Sequence, residues 1–273
     1  MAEKISLAGD LGSGKSTVAD ILINRLGAEY YSTGAIVRSI AARHGMTVVE
    51  LNHYMETHPE IDTEIDNGLV ELGKTDKSMV IDSRMAWHFT EGTFKVYLST
   101  DVETSALRIM GANRQGEHSA TLEATIADTK ARRESEKKRY KTQYGVDIKD
   151  LTNYTLIVDT TVATPTEVAD CIIDSLSRWK ADPEFSATYI SAERLNFPDD
   201  EPDAELISSY SARLEEGLEI PEIKVFEKDG DFFVMSGVEA ALAQSFSEKP
   251  FIKVTLVKES AEGKKYVRMK NSL

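Results

Sequence analysis

The feature that most constrains the fold is a glycine-rich segment near the N-terminus. Residues 9–16, GDLGSGKS, match the pattern G-x-x-x-x-G-K-[ST] at every fixed position, and Thr17 follows. The segment lies between an apolar run at 4–8, which predicts a strand, and a stretch at 16–26 with helical spacing. Because strand, loop and helix occur in that order, the pattern predicts a phosphate-binding loop, or P-loop.

The residue types at the fixed positions of this loop each suit a nucleoside triphosphate. Glycines let backbone N–H groups face a phosphate, and the helix N-terminus adds partial positive charge. Lys15 can reach the β- and γ-phosphates, and the Ser16 hydroxyl can ligate Mg²⁺. A Rossmann-type dinucleotide loop fits worse, because Thr17 stands where its third glycine should be. We therefore expect ATP and Mg²⁺ here, bound by Gly9, Leu11, Gly12, Ser13, Gly14, Lys15, Ser16 and Thr17.

Up to about residue 176 the sequence alternates short apolar runs with amphipathic stretches. Further strands are predicted at 78–82, 95–98 and 155–158, and further helices at 102–110 and 165–177. The residues that precede these two helices, an aspartate and a threonine, are good N-terminal caps. Continuous apolar runs are typical of parallel strands buried on both faces, so we predict an α/β domain with a parallel sheet.

Composition limits the classes of molecule that the chain is expected to bind. Thirty-two Lys and Arg against 46 Asp and Glu give a net charge of −14, which argues against a protein that coats a nucleic acid polymer. The single cysteine, Cys171, excludes an internal disulfide and a thiolate-rich metal site. No apolar run approaches the roughly 20 residues that span a bilayer. The apolar run near the N-terminus is too short for the core of a signal peptide. We expect a cytoplasmic protein with small-molecule partners and no membrane contact.

Three further segments carry cations and hydroxyls suited to the second substrate of a phosphotransferase. Their candidate residues are Thr33, Arg38, Asp82, Arg84, Arg132, Glu136 and Arg139. The first two follow the first helix by about one strand, and the next two close the second strand, where an open α/β sheet presents ligand-binding side chains. In a helix the last three share one face. Taken alone, a plain turn and a solvated charged helix remain alternative interpretations of the first and last segments.

The order of these motifs resembles that of the cytidylate kinases, within the nucleoside monophosphate kinases. The resemblance is carried by residues 9–16, 32–38, 59–62, 82–87 and 133–148, and it covers roughly residues 1–178. It implies a three-layer P-loop kinase fold with a parallel sheet and a helical lid. It also implies transfer of the γ-phosphoryl group of ATP to a nucleoside monophosphate, CMP or dCMP.

The resemblance also implies where the acceptor binds. Thr33, Arg38 and Asp82 would lie in the monophosphate pocket, with Arg38 on the acceptor's phosphate. Arg84 would contact that phosphate or the developing transition state. The bacterial enzymes carry an aspartate, implicated in cytidine recognition, where this chain has Met85, and a thioether cannot read a polar base edge. A different small acceptor therefore stays open.

Further roles follow from the same resemblance. Arg132 and Arg139 would be lid arginines that, with Lys15 and Arg84, act on the transferring group. Glu136 would sit between the two lid residues, toward the ribose or as their orienter. Arg108 would lie near the adenine of ATP.

The C-terminal part has a different pattern. It predicts a helix at about 204–216 and, from the KDGD segment at 228–231, a β-hairpin. The order of elements over about 188–260 resembles the ParB/sulfiredoxin-like domain. Members that act on nucleotides carry Arg or His after a glycine that matches Gly237, whereas this chain has Val238. We therefore expect no phosphate binding there.

The predicted organisation is a kinase domain at 1–178, a linker at 179–187 and a small α+β domain at 188–273. The last would serve in regulation or in contact between two copies of the chain, since fold does not imply function. A nucleotide-gated switch that signals through this domain is the alternative to a kinase. A switch needs no second set of cations around the phosphoryl group, so the arginine-rich helix favours the kinase.

Overall fold

The computed structural model describes residues 2–112, 121–247, 249–258 and 265–268. The strands are β1 (Lys4–Gly9), β2 (Glu29–Ser32), β3 (Met79–Asp82), β4 (Phe94–Ser99), β5 (Leu156–Asp159), β6 (Ala187–Ile190), β7 (Leu195–Pro198), β8 (Lys224–Lys228), β9 (Asp231–Ser236), β10 (Ile252–Leu256) and β11 (Tyr266–Arg268). The α-helices are α1 (Lys15–Leu26), α2 (Thr33–Arg43), α3 (Val48–Met55), α4 (Pro59–Gly73), α5 (Ala86–Phe89), α6 (Val102–Gly111), α7 (Leu122–Tyr144), α8 (Pro165–Ala181), α9 (Ala204–Glu215) and α10 (Val238–Ser245). Two 3₁₀ turns lie at Leu151–Asn153 and Ala192–Arg194.

The described strands form one sheet in the order β11-β7-β9-β8-β10-β6-β5-β4-β1-β3-β2. From β2 to β6 every neighbouring pair is parallel. The C-terminal half is mixed, and it begins where β10 pairs antiparallel with β6. The carboxyl ends of the parallel strands therefore meet along one edge, which is where ligands bind in open α/β sheets.

Helices cover both faces of the parallel half, which gives the three layers that the sequence predicts. On one face α1 and α8 bury apolar side chains against β1, β4 and β5. The other face is covered by α5 and by the C-terminal half of α7, whose Tyr140 packs against Ile81 and Met85. A separate small core holds α2, α3 and α4 together beside the sheet. The predicted α/β fold is confirmed.

The local signals in the sequence explain where several elements begin. The carboxylate of Asp101 accepts from the backbone of Thr104 at 2.9 Å, and Thr164 forms a capping box with Glu167. The strands and helices that the sequence predicts up to residue 177 match the structure to within a few residues at each end. The segment at 32–38 is not a plain turn, because Thr33 and Gly34 open α2 with Ser32 as the N-cap.

The C-terminal part contains the predicted helix and hairpin. Strands β8 and β9 are antiparallel, and the turn between them has positive φ at Asp229 and Gly230, 56° and 92°. This geometry is that of a two-residue turn that matches strand twist. The predicted linker overlaps the end of α8, and β6 pairs directly with β5. The division into two domains and the ParB/sulfiredoxin-like resemblance stay predictions.

Within the described residues, helices long and apolar enough to cross a membrane are absent.

Candidate functional site

The P-loop connects β1 to α1 at the carboxyl edge of the sheet. Gly9 has a φ of 150°, and a Cβ there would overlap the backbone of Leu98 on β4. Gly12 has a φ of 72°, and its Cβ would overlap Ser105 of α6. The two positions therefore require glycine, both for backbone conformation and for close approach.

Lys15 points back across this loop. Its ammonium donates to the carbonyl oxygens of Gly9 at 3.2 Å and of Asp10 at 2.8 Å. Burial, followed by the positive charge of Arg84, lowers the pKa of Lys15 to about 7. An anion in the loop would favour the charged ammonium, since opposite charge nearby stabilises the ionised form.

Two cavities lie on either side of the P-loop. The first, which we call the arginine cavity, has a volume of about 140 Å³. It is lined by the segment Leu11–Ser16 and by all the acceptor and lid candidates, namely Thr33, Arg38, Asp82, Arg84, Arg132, Glu136 and Arg139. The second, the Arg108 cavity, has a volume of about 280 Å³. Both are lined by Gly12, Ser13, Gly14 and Ser16, so the loop is the wall between them.

Glu136 organises the cations of the arginine cavity. Its carboxylate accepts from Arg84 Nε at 2.6 Å and from Arg132 Nε at 3.1 Å, and its side chain is 7% exposed. Burial alone would raise the pKa of Glu136, but the charge of Arg84, followed by that of Arg132, outweighs it and lowers the pKa to about 2. Glu136 is therefore ionised and fixes two guanidinium groups beside the P-loop.

Arg139 is held at another wall of the same cavity. Its Nε lies 2.7 Å from a carboxylate oxygen of Asp62, and its Nη1 donates to Asn52 Oδ1 at 3.2 Å. The residue is only 7% exposed. The role of this helix as a lid stays a prediction. Its C-terminal half is anchored in the structure by Arg139 and by the buried Tyr140.

Arg108 lines the second cavity, together with Thr17 and apolar side chains of α8. Its guanidinium donates to the backbone carbonyls of Thr160 at 2.7 Å and Thr161 at 3.3 Å. These contacts hold the cation at the side of the P-loop opposite to the arginine cavity. Its predicted role near an adenine stays a prediction.

Sequence reasoning missed a second ionic cluster, which centres on Asp10. The carboxylate of this P-loop residue accepts from the Tyr97 hydroxyl at 2.8 Å and the Thr100 N–H at 3.0 Å. It also pairs with Lys149, and with Arg133 at 3.4 Å. Burial alone would raise the pKa of Asp10, but Lys149 and Arg133 outweigh it and hold the pKa far below its usual range. An acidic residue inside a phosphate-binding loop was the one signal that could have revealed this cluster.

Two other residues matter at the acceptor side. Asn52 and Asp62, which hold Arg139, were given no role, although Asp62 lies in a segment that carries the resemblance. Met85 is 1% exposed and packs in the core with Ile81 and Tyr140. Met85 therefore lines neither cavity.

Comparison with known proteins agrees with this arrangement. Residues 4–162 match the cytidylate kinase-like family. The cytidylate kinase of Halobacterium salinarum is 35% identical over 195 residues, which are 71% of this chain and 99% of the relative. That of Archaeoglobus fulgidus is 38% identical over 157 residues, 57% of this chain and 84% of the relative. An S-adenosylmethionine-dependent nucleotide dehydratase of Lacinutrix mariniflava is 35% identical over 182 residues, 66% of this chain but only 37% of that protein.

The match spans the P-loop, the strand ends that carry Asp82 and Arg84, and the whole of α7. The parts that surround the arginine cavity therefore lie within the matched segment. The chain belongs to the cytidylate kinase-like family and is a P-loop nucleotide kinase.

Proposed function

We propose that the protein transfers the γ-phosphoryl group of ATP to CMP or dCMP. The observation that carries this proposal is the arginine cavity, in which Arg84, Arg132 and Arg139 lie beside the P-loop lysine. A loop that only binds a nucleotide needs no such set, whereas phosphoryl transfer develops charge that several cations must stabilise. The cytidylate kinase relatives favour a cytidine nucleotide as the acceptor.

The donor would lie along the P-loop with its base toward the Arg108 cavity. The apolar side chains of Ala163, Pro165 and Val168 line that cavity and suit a base, while Arg108 offers a planar cation on which a base can stack. Backbone N–H groups of the loop and the ammonium of Lys15 would hold the phosphates. The terminal phosphate would then face the arginine cavity, because the loop is the common wall.

The residues present also fit Mg²⁺. Ser16 opens α1 and lines both cavities, so its hydroxyl is placed where the triphosphate would pass. Mg²⁺ keeps several waters and takes part of its coordination from substrate phosphates, so the Ser16 hydroxyl would be one of only a few protein ligands. When bound, the ion would neutralise charge on the β- and γ-phosphates.

The acceptor would occupy the arginine cavity. Arg38 is exposed on α2 at the cavity wall, and Arg84 closes β3, so both can meet the acceptor's phosphate. An oxygen of that phosphate attacks the γ-phosphorus, and the bond from the γ-phosphorus to the bridging oxygen breaks. ADP leaves with the electron pair of the broken bond. The acceptor phosphate is already ionised at neutral pH, so no side chain has to remove a proton.

A substrate screen tests the proposal. ADP release from ATP and Mg²⁺ is measured with CMP, dCMP, UMP, AMP and GMP, against a reaction without acceptor. CMP or dCMP is expected to turn over at least tenfold faster than the other nucleotides. Faster turnover of another acceptor would overturn the cytidine assignment. ADP release that no acceptor stimulates would overturn the kinase and favour the nucleotide-gated switch.

A further inference from the structure

Arg194 is a charged residue of the C-terminal part that is buried inside the molecule. It ends the 3₁₀ turn Ala192–Arg194, immediately before β7, and is only 2% exposed. Its Nη1 donates to Ser99 Oγ at 2.7 Å and to Asp159 Oδ1 at 3.1 Å. Its Nη2 donates to the carbonyl oxygen of Gly230, in the turn between β8 and β9. One guanidinium thus joins the carboxyl ends of β4 and β5 to the hairpin.

Asp159, one of these partners, connects Arg194 to the Arg108 cavity. Asp159 is fully buried, and the same oxygen that meets Arg194 also accepts from the Thr161 N–H at 3.1 Å and the Thr161 hydroxyl at 2.7 Å. The backbone carbonyls of Thr160 and Thr161 in turn accept from Arg108. Asp159 therefore fixes the turn on which the position of Arg108 depends.

Ser99, the other side-chain partner, connects Arg194 to the P-loop. Ser99 ends β4, and the next residue, Thr100, donates its N–H to the carboxylate of Asp10 at 3.0 Å. The Thr160 N–H also donates to the Ser99 carbonyl at 2.8 Å, so the two strand ends are tied to each other. Arg194 therefore contacts the ends of both β4 and β5, next to the edge of the sheet that carries the P-loop.

A lysine could not replace this arrangement. The planar guanidinium donates in several directions from a rigid group, whereas an ammonium is a compact point charge on a flexible stem. Removal of one partner of a buried ion pair is strongly unfavourable, because the other charge is then buried without compensation. The number and direction of its bonds therefore make Arg194 specific to this position.

We propose that Arg194 is a positioning residue for the donor nucleotide, and that the C-terminal part thereby forms the support of the ATP site. This inference rests on the proposed function only in taking ATP as the donor. Arg194 lines neither cavity on the P-loop. Its effect reaches the nucleotide through Ser99 and Asp159 and does not involve the acceptor.

The test compares Arg194→Lys and Ser99→Ala with Arg213→Lys. Arg213 lies in the same C-terminal part and donates to a carbonyl, that of Glu219, but these hydrogen bonds are exposed and reach neither cavity. The dissociation constant of a non-hydrolysable ATP analogue with Mg²⁺ is measured by calorimetry on each full-length protein without acceptor. Steady-state KM values for ATP and for the acceptor are measured separately. Thermal unfolding shows which variants are folded.

Arg194→Lys is expected to raise the dissociation constant of the analogue about tenfold, and Ser99→Ala about threefold, with KM for the acceptor within twofold of wild type. Arg213→Lys should change neither constant. If Arg194→Lys does not fold, Ser99→Ala decides the question. Analogue affinity within 1.5-fold of wild type in the folded variants would overturn the proposal, as would an equal rise in both KM values. Because the affinity is measured without acceptor, a wrong acceptor assignment would leave this result unchanged.

Discussion

Lys149 donates a hydrogen bond to the carboxylate of Asp10 across 139 positions of sequence, and so ties the loop after α7 to the second residue of the P-loop. The ammonium also donates to the Tyr97 hydroxyl at 2.9 Å, which itself donates to Asp10. The position of the phosphate-binding loop is therefore fixed by the hydrogen bonds among Lys149, Tyr97 and Asp10 as well as by backbone hydrogen bonds.

Lys149→Met should lower the free energy of unfolding by about 1–2 kcal/mol at pH 7, a discounted value because the Lys149 side chain is 36% exposed. The low pKa of Asp10 adds stability that is present above the unfolded pKa of about 4 and is lost as pH falls toward the folded pKa. The difference between variant and wild type should therefore shrink in acid. Urea unfolding at pH 7 and at pH 3, which lies below the unfolded pKa, measures this difference.

Lys74→Met is the control for that experiment. Lys74 pairs with Glu71 on the surface, where the side chains are 66% and 69% exposed, so its loss should change stability by less than about 0.5 kcal/mol. Equal destabilisation by the two substitutions would show that the Asp10 network adds nothing.

Lys15→Ala should abolish turnover and leave the fold intact, because Lys15 faces the loop and not the apolar core. A loss of at least 10³-fold in kcat is expected for a group that acts on the transferring phosphates. ADP release and thermal unfolding are measured on the same preparation. Wild-type ADP release from the folded variant would contradict the assignment of Lys15.

ATP binding should take up protons at pH 8. The pKa of Lys15 is about 7 without ligand, so much of the amine is neutral at that pH, and phosphates would raise the pKa and restore the charge. Titrations in two buffers of different ionisation enthalpy measure the proton count. Uptake should decline at pH 6, where Lys15 is already charged. Identical binding enthalpies in both buffers at pH 8 would be incompatible with a neutral Lys15.

Arg132→Ala and Arg139→Ala should both lower kcat, but only Arg139→Ala should also lower the stability of the fold. Arg132 contacts the ionised Glu136 at the cavity wall, and its loss should lower kcat by about 10³-fold, or about 4 kcal/mol, with ATP affinity little changed. Arg139→Ala should also destabilise the fold by about 3 kcal/mol, because Asp62 is then buried without its partner.

The double variant Arg139→Met with Asp62→Asn separates the two effects of Arg139. Removing both charges should restore most of the stability, since no unpaired buried charge remains, but it should not restore turnover. Melting temperature and kcat are measured for each protein. A double variant with wild-type kcat would mean that Arg139 only stabilises the fold.

Much of the fold could be predicted from the sequence because its signals are local. The strand before Gly9, the helix after it and the caps at Asp101 and Thr164 each depend on residues within a few positions of one another. The cations of the arginine cavity could be anticipated because strand ends and one helix face bring them to a common edge.

The parts of the fold and of the site that could not be predicted depend on contacts between residues that are far apart in the sequence. No local pattern shows that Lys149 meets Asp10, or that Arg194 meets Asp159. The face on which Met85 lies was also hidden, because α5 is too short to show a period. The joining of β6 to β5 is a tertiary pairing that the alternation of apolar residues cannot specify.

That joining has a consequence for truncated forms of the protein. A chain cut at residue 178 would lose β6, and the backbone N–H and C=O groups of β5 along that side would be left without partners. An open, apolar edge of this kind is a template for pairing with another chain. In the full chain β6 covers this edge, and we expect a protein shortened at residue 178 to associate with itself through the exposed edge of β5.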